Sequence, residues 1–312
     1  MSKIRKTLAA GYFKRLKKDM KLNRGLYFLS LPTFIFILIF CYIPMAGIIL
    51  AFKNYNPNLG IFGSPWVKFE NFEMFFSYYY FKNIIWNTVK ISFFSLLFGF
   101  PLPVLLSLIL NSIAGKFKKV FSITSYIPNF LSTVVVVAML LAFLNPTSGI
   151  VNTIIKAFGG KPQDFMTNPN AFVTIFVASG VWQSLGWGTV IYTSALSGID
   201  PQLYDAAKMD GASKFAVVCH IDFPSLLPTV VIALILAAGG IMSVGFEKVF
   251  LMQNDLNALT SEVISTYVYK IGLISSDYGF GTAVGLFNSV INFFLLLIVN
   301  FVAKKVSGYS IW

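Results

Sequence analysis

Six long apolar runs constrain this chain more than any other feature of its sequence. Each is close to the roughly 20 apolar residues that a helix needs to cross a bilayer. The runs are continuous and do not alternate with polar positions, so they predict helices rather than the strands of a barrel. They lie at 26–52, 86–110, 121–144, 171–196, 225–246 and 281–302. The sequence therefore predicts an all-α, polytopic membrane protein with six transmembrane helices.

The composition supports the same class. Of the 312 residues 56% are hydrophobic and only 12% are charged, and the mean hydropathy is +0.74. A soluble domain of this length is about 25% charged. Several prolines interrupt the apolar runs, and membrane helices tolerate them where neighbouring helices satisfy the freed carbonyls. These are Pro32, Pro44, Pro101, Pro103 and Pro128.

The placement of the positive charge predicts the orientation in the membrane. In a soluble protein a net charge of +12 would suggest nucleic acid, but here sixteen of the 24 basic residues lie in segments on one side of the predicted spans. Seven lie on the other side, and Lys90 lies within the second run. Because cytoplasmic loops carry the excess of Lys and Arg, we expect both termini in the cytoplasm and no nucleic-acid partner.

The same assignment divides the chain into three parts. A basic cytoplasmic segment occupies residues 1–25, the six-helix membrane domain occupies 26–303, and a cytoplasmic tail occupies 304–312. Residues 198–224 form the longest polar interruption that this orientation places in the cytoplasm. We therefore expect that loop to be where the membrane domain meets a cytoplasmic partner.

Local chemistry predicts two helices within the 198–224 loop. Asp200 can cap the first helix, and Pro201 suits its first turn, where no amide donor is lost. Gly211 suits the left-handed residue that ends a helix, and Ser213 can cap the next one. An ordinary loop between two spans would explain the caps, but it would not explain a polar helix protruding between apolar runs.

The spacing within this loop resembles the signature of ATP-binding-cassette importer permeases: E-A-A, three residues, G, nine residues, I-x-L-P. Ala207 to Gly211, Gly211 to Ile221 and Ile221 to Pro224 match it, whereas Asp205 replaces the Glu and Phe223 the Leu. In that family the loop is the socket for the ATPase subunit. The resemblance thus implies an ATPase-coupling site made of Asp205, Ala206, Ala207, Asp210, Gly211, Ala212, Ile221 and Pro224.

A wider resemblance points to the sugar-importing branch. The basic head, the six-run layout and the stretch from Tyr267 to Lys270 look like sugar-importer permeases. The ending from Gly308 to Trp312 is similar to a branch that imports complex oligosaccharides. This resemblance implies a heterodimer with a second, related permease, two copies of an ATPase, and a lipid-anchored extracellular binding protein in a Gram-positive bacterium.

Residues that could carry out catalysis are scarce. The phosphate-binding pattern G-x-x-x-x-G-K-[ST] is missing, so ATP and Mg²⁺ are expected on a partner subunit. His220 is the single histidine, and with Cys219 beside it a zinc site would still lack ligands. We therefore expect no catalytic residue, no metal site and no cofactor in this chain.

The predicted spans contain hardly any ionisable residues besides Lys90 and Glu247. Proton- or sodium-coupled carriers place such groups at mid-membrane, so their scarcity argues against a secondary transporter. It also argues against a strongly charged substrate. A non-transporting membrane scaffold or assembly protein is the other alternative.

Uncharged polar and aromatic side chains within the spans could contact a sugar. Amides bond hydroxyls and flat rings stack on the apolar face of a sugar, which makes these residues candidates for a substrate pathway: Asn129, Trp182, Gln183, Trp187, Tyr192, Asn288 and Asn292. The alternative is that the amides hold helices together and that Gly186 and Gly188 permit close packing. The resulting prediction is that the chain moves a carbohydrate of oligosaccharide size by alternating access.

Overall fold

The computed structural model describes residues 18–113 and 115–312. Within these residues every regular element is helical, apart from one isolated bridge between Lys53 and Trp66. The predicted all-α class is confirmed. Part of the predicted basic N-terminal segment, including Lys3, Arg5 and Lys14, lies outside the described residues.

Eight helices form the body of the protein. They are α1 Arg24–Phe52, α2 Phe81–Ser112, α3 Lys116–Phe130, α4 Thr133–Phe143, α5 Phe172–Ser197, α6 Pro201–Met209, α7 Lys214–Ala238 and α8 Tyr278–Ser307. In the described part of the chain, α1, α2, α7 and α8 are long and apolar enough to cross a membrane. The bent pair α3–α4 raises that number to five, so the predicted count of six is not confirmed. Helix α5 has the length, at 26 residues, but is more polar.

The third apolar run is not a straight span, contrary to the prediction. Helices α3 and α4 meet at an angle of 98°. Pro128 lacks an amide hydrogen and lies in a short 3-10 turn, after which Leu131 is extended. Ser132 then caps α4 by accepting a hydrogen bond from the amide of Val135. A proline followed by a helix cap thus divides a run that is uniformly apolar in sequence.

The fifth run was also placed wrongly, since the helix covers Lys214–Ala238 rather than 225–246. Pro224 does not begin this helix but lies inside it. A π-type turn at Val218–Asp222 precedes the proline and accommodates its missing amide hydrogen. The helix ends at Ala238, before Gly239 and Gly240, and the polypeptide turns before the next short helix.

Short helices connect the long ones. They are Gly60–Gly63, Glu70–Ser77, Ile150–Ala157, Phe246–Met252, Ala258–Ser261 and Ile264–Val268, the last continued by a π-type segment Tyr269–Ile274. One buried cluster joins these connections to α2 and α5 through Ile91, Phe172, Phe176, Val249 and Val263. A second joins them to α8 through Phe75, Ile84, Tyr267 and Phe280.

Helix α5 lies at the centre of the fold and packs against α2, α3 and α7. A methyl group at Gly186 would lie 2.0 Å from the carbonyl oxygen of Ser125 on α3, so only glycine allows this approach. By contrast, the first part of α1, Arg24–Ile37, buries none of its side chains. That surface is suited to lipid or to another membrane subunit.

Candidate functional site

Helix α6 is delimited by caps at both ends. The carboxylate of Asp200 accepts a 2.9 Å hydrogen bond from the amide of Gln202, and Pro201 occupies the first turn. At the other end Gly211 has φ +72°, while the amide of Ala212 donates to the carbonyl of Ala207 over 2.9 Å. This pairing is the Schellman arrangement. The predicted cap and the predicted left-handed glycine are both confirmed.

The second predicted cap is confirmed as well. The hydroxyl of Ser213 accepts a hydrogen bond of 3.2 Å from the amide of Ala216. That cap begins α7 directly, so only the residues 210–213 separate α6 from a membrane-length helix. A displacement of α6 would therefore be passed to α7 through a very short connection.

The exposed surface of α6 and of the first turn of α7 carries three large apolar side chains among charged ones. Leu203 is 50% exposed, Phe215 77% and Met209 88%. Of the predicted coupling residues, Asp205, Ala206, Asp210, Gly211, Ala212 and Pro224 are also exposed, whereas Ala207 and Ile221 are partly buried. Small alanines beside protruding apolar side chains form a surface on which another protein can pack closely.

A buried polar cluster holds α6 against the membrane helices. The carboxylate of Asp222 on α7 is 2% exposed and accepts hydrogen bonds from the hydroxyl of Tyr204 over 2.7 Å and from the amide of Asn111 over 3.2 Å. Tyr204 belongs to α6 and Asn111 to the last turn of α2. The cluster thus joins three helices at one buried charge, and buried charges require such partners.

Burial and the bond to Asp222 raise the pKa of Tyr204 to about 12, so its hydroxyl remains a donor at neutral pH. Beside this cluster lies a cavity of 330 Å³, lined in part by Lys208, Ala212 and Lys214. Neither Tyr204, Asp222 nor Asn111 is a candidate on the sequence alone. A carboxylate so close to an apolar run is nevertheless a sign of a buried charge that needs partners, and Asp222 is such a residue.

The candidate pathway residues do not form one surface. The amide of Gln183 donates to the carbonyl of Leu131 over 3.0 Å, at the break between α3 and α4. Trp187 contacts the ring of Phe130 edge-on, with 6.1 Å between ring centroids. Trp182 instead lines an apolar cavity beside α4, and Asn129 lies in the 3-10 turn that ends α3.

The remaining three candidates differ in their surroundings. Tyr192 is 4% exposed and packs in an apolar cluster with Val104, Leu108 and Leu226. Asn292 accepts a 2.9 Å hydrogen bond from the amide of Met242 and so holds the turn after α7 against α8. Asn288 has a buried side-chain oxygen for which the described residues provide no partner. The amides of Gln183 and Asn292 thus bond to the turns after α3 and α7, and the assignment of these residues to a substrate pathway stays a prediction.

One ionisable residue of a predicted extracellular connection is buried within the protein. Lys248 is 8% exposed in the short helix Phe246–Met252. Its ammonium donates to the carbonyl of Phe176 on α5 over 3.1 Å. Burial lowers the pKa of Lys248 to about 8, so the group is still mainly charged at pH 7. It lines a cavity together with Gln183 and Ser184.

No group of three or more His, Cys, Asp or Glu that could hold a metal ion occurs in residues 18–113 and 115–312.

A bundle of long apolar helices with a capped, partly apolar helix projecting between two of them defines a membrane transport subunit. The chain belongs to the family described as binding-protein-dependent transport system inner membrane component, whose model matches residues 99–308. It is thus the permease component of an importer of the ATP-binding-cassette type.

Curated relatives match nearly the whole chain. Protein LplB of Bacillus subtilis is 37% identical over 92% of this chain and 90% of its own length. A polygalacturonan/rhamnogalacturonan transport system permease, YteP, of the same organism is 38% identical over 96% of this chain and 94% of its own.

A solved structure matches equally well. A chain of a bacterial transporter involved in the import of the acidic polysaccharide alginate superposes with a TM-score of 0.86, at 36% identity, over 94% of this chain and 99% of that one. The same kind of transporter has also been solved in complex with a periplasmic protein that holds an alginate pentasaccharide. Membership of this family excludes the two alternatives, a secondary transporter and a non-transporting scaffold.

Proposed function

We propose that this chain is the membrane subunit of a carbohydrate importer in a bacterial cell membrane and that α6 docks onto a separate ATPase, which binds ATP and Mg²⁺. The observation that carries the docking is the form of α6: a helix capped at both ends, exposing Leu203 and Met209, and joined to α7 by four residues. Two copies of the ATPase would engage this chain and a second, related permease.

The cargo is an oligosaccharide delivered by an extracellular, lipid-anchored binding protein. Support comes from the relatives, since YteP is named for polygalacturonan and rhamnogalacturonan and the solved neighbour for alginate. In the proposed cycle, ATP closes the ATPase dimer, α6 moves with it, and α2 and α7 follow through Asp222. Both termini are cytoplasmic in this arrangement, as the distribution of basic residues indicates.

Docking is tested by placing a charge on the apolar surface of α6. Met209→Glu should weaken co-purification of the ATPase about tenfold or more, because burying a methionine side chain contributes roughly 1.5–3 kcal/mol. The matched control is Phe62→Glu, at a side chain that is 95% exposed on a connection far from α6 in sequence. Equal co-purification of the ATPase with both variants would show that α6 is not the docking surface.

A further inference from the structure

The ammonium of Lys248 is buried without a carboxylate beside it. Its Nζ makes one hydrogen bond, to the carbonyl oxygen of Phe176, and lies 5.0 Å from the centroid of the Phe176 ring. In the described part of the chain the one ion pair joins Lys270 to Glu262 and does not include Lys248. Lysine has three hydrogens to donate, so a carbonyl and a ring leave part of this charge unsatisfied.

Burying an ammonium is costly unless an anion or several acceptors compensate for the lost water. The surroundings of Lys248 are open on one side to a cavity of 210 Å³. Gly180 also lines this cavity, and its backbone lies so close to the ammonium that a methyl group there would be 3.4 Å from Nζ. The charge is therefore held by the protein, accessible from a cavity, and without a counter-ion of its own.

The lining of this cavity is suited to a hydroxylated ligand. Besides Lys248 it includes the side chains of Ser95, Gln183 and Ser184. A second cavity of 310 Å³ shares Ser95, Gly99 and Phe176 with the first and extends the polar lining to Ser92 and Ser243. The hydroxyl oxygen of Ser92 is buried and has no partner among the described residues. The two cavities lie where α2, α5 and the end of α7 meet.

We propose that Lys248 binds the carboxylate of an acidic sugar residue, so that the cargo is a uronate-containing oligosaccharide. A carboxylate supplies the single negative charge that one ammonium needs, while the hydroxyls of Ser92, Ser95 and Ser243 match the hydroxyls of the same sugar. A phosphate would call for further cationic donors, and Lys248 is the one cation lining these two cavities. The inference rests on the proposed function as a carbohydrate importer and revises the expectation that the cargo is not strongly charged.

The test uses the complete complex of both permeases, ATPase and binding protein in liposomes. The probes are oligogalacturonates and oligomannuronates, each compared with its carboxyl-reduced, neutral counterpart. Lys248→Met keeps the length and apolar stem of the side chain but removes its charge, and Lys248→Arg keeps the charge. The matched control is Lys156→Met, at an exposed lysine on the short helix Ile150–Ala157.

We expect Lys248→Met to lower uptake of an acidic probe about tenfold or more, and Lys248→Arg to retain much of it. The ratio of acidic-probe to neutral-probe uptake should fall by the same factor while ATPase co-purification stays unchanged. A merely structural role of Lys248 would instead lower the uptake of both probes alike. Equal uptake of acidic probes by the wild type and Lys248→Met would overturn the assignment. So would a wild type that takes up only neutral oligosaccharides, although the proposed function would then stand. A wild type that assembles but takes up neither kind of probe would contradict both.

Discussion

The hydroxyl of Tyr204 on α6 donates a 2.7 Å hydrogen bond to the buried carboxylate of Asp222 on α7. Asn111 on α2 donates to the same oxygen, at 3.2 Å. Helix α6, the first half of α7 and the end of α2 therefore meet at a single charge. Because hydrogen bonds to a charged group are stronger than neutral ones, this contact is well suited to carry movement of α6 into the membrane domain.

Removing the Tyr204 hydroxyl tests whether this contact transmits movement of α6 to the membrane helices. Tyr204→Phe leaves Asp222 with only the Asn111 amide, and losing a hydrogen bond to a charged group costs about 1.5–3 kcal/mol. We expect the ATPase still to co-purify, because the exposed apolar surface of α6 is intact, while sugar uptake per ATP hydrolysed falls several-fold. Tyr79→Phe, at a side chain that is 86% exposed, is the control and should behave as wild type. Unchanged sugar uptake per ATP hydrolysed in Tyr204→Phe would show that the bond between Tyr204 and Asp222 does not transmit the movement.

The end of α6 provides a second prediction. Gly211 has φ +72°, a conformation that costs most other residues about 1–2 kcal/mol. Gly211→Asp adds a charge to the docking surface at the same position, so it should reduce ATPase co-purification while the permease still inserts. Gly211→Asn is the matched control, because asparagine tolerates the left-handed conformation and is uncharged. Normal co-purification and ATPase stimulation in Gly211→Asp would contradict the docking assignment.

The caps of α6 and α7 could be predicted because they depend on neighbouring residues alone. Asp200, Gly211 and Ser213 each act within a few positions of themselves, and the structure has all three in the predicted roles. The ends of the apolar helices depend instead on where backbone groups find partners. Residues 121–144 are continuously hydrophobic, yet the helix breaks at Pro128 and Ser132. The carbonyl of Leu131, freed by this break, accepts a hydrogen bond from the side-chain amide of Gln183.

Contacts between distant segments were not predictable in the same way. Asp222 and Asn111 are 111 positions apart, and Lys248 and Phe176 are 72 apart. The distribution of basic residues assigns Lys248 to an extracellular connection. Its neighbours in sequence do not show that it lines a cavity beside α5. Only the packing of α2, α5 and the short helix Phe246–Met252 shows that its ammonium is buried.

Orientation in the membrane remains a prediction from the basic residues, and thiol labelling tests it. In a Cys41→Ser background, cysteines introduced at Ser77 and Ser275 should react with a membrane-impermeant reagent in intact cells. Native Cys219 is exposed in α7 but should react only after the cells are opened, because its segment is cytoplasmic in the proposed topology. Labelling of Cys219 from outside would invert the arrangement and separate α6 from any cytoplasmic ATPase.

Two asparagines one turn apart on α8 distinguish a substrate contact from a packing contact. The side-chain oxygen of Asn288 is buried without a described partner, whereas that of Asn292 accepts the Met242 amide over 2.9 Å. Asn292→Ala should therefore lower the melting temperature of the purified permease, since an unsatisfied buried amide costs about 1–3 kcal/mol. Asn288→Ala removes no such bond and should leave the melting temperature close to that of the wild type.

If Asn288 belongs to the sugar pathway, Asn288→Ala should still slow uptake several-fold, because one hydrogen bond to the cargo is worth about 1 kcal/mol. Trp187→Ala should do the same by removing a ring on which a sugar can stack, at a comparable cost. ATPase co-purification should not change in either variant, which separates them from changes in α6. Initial uptake rates in liposomes, measured beside the melting temperatures, make the comparison. The contrary result is full uptake by both variants together with weaker association of the two permeases. That result would assign Asn288 and Trp187 to helix packing, and the pathway would then lie along the cavities beside Lys248.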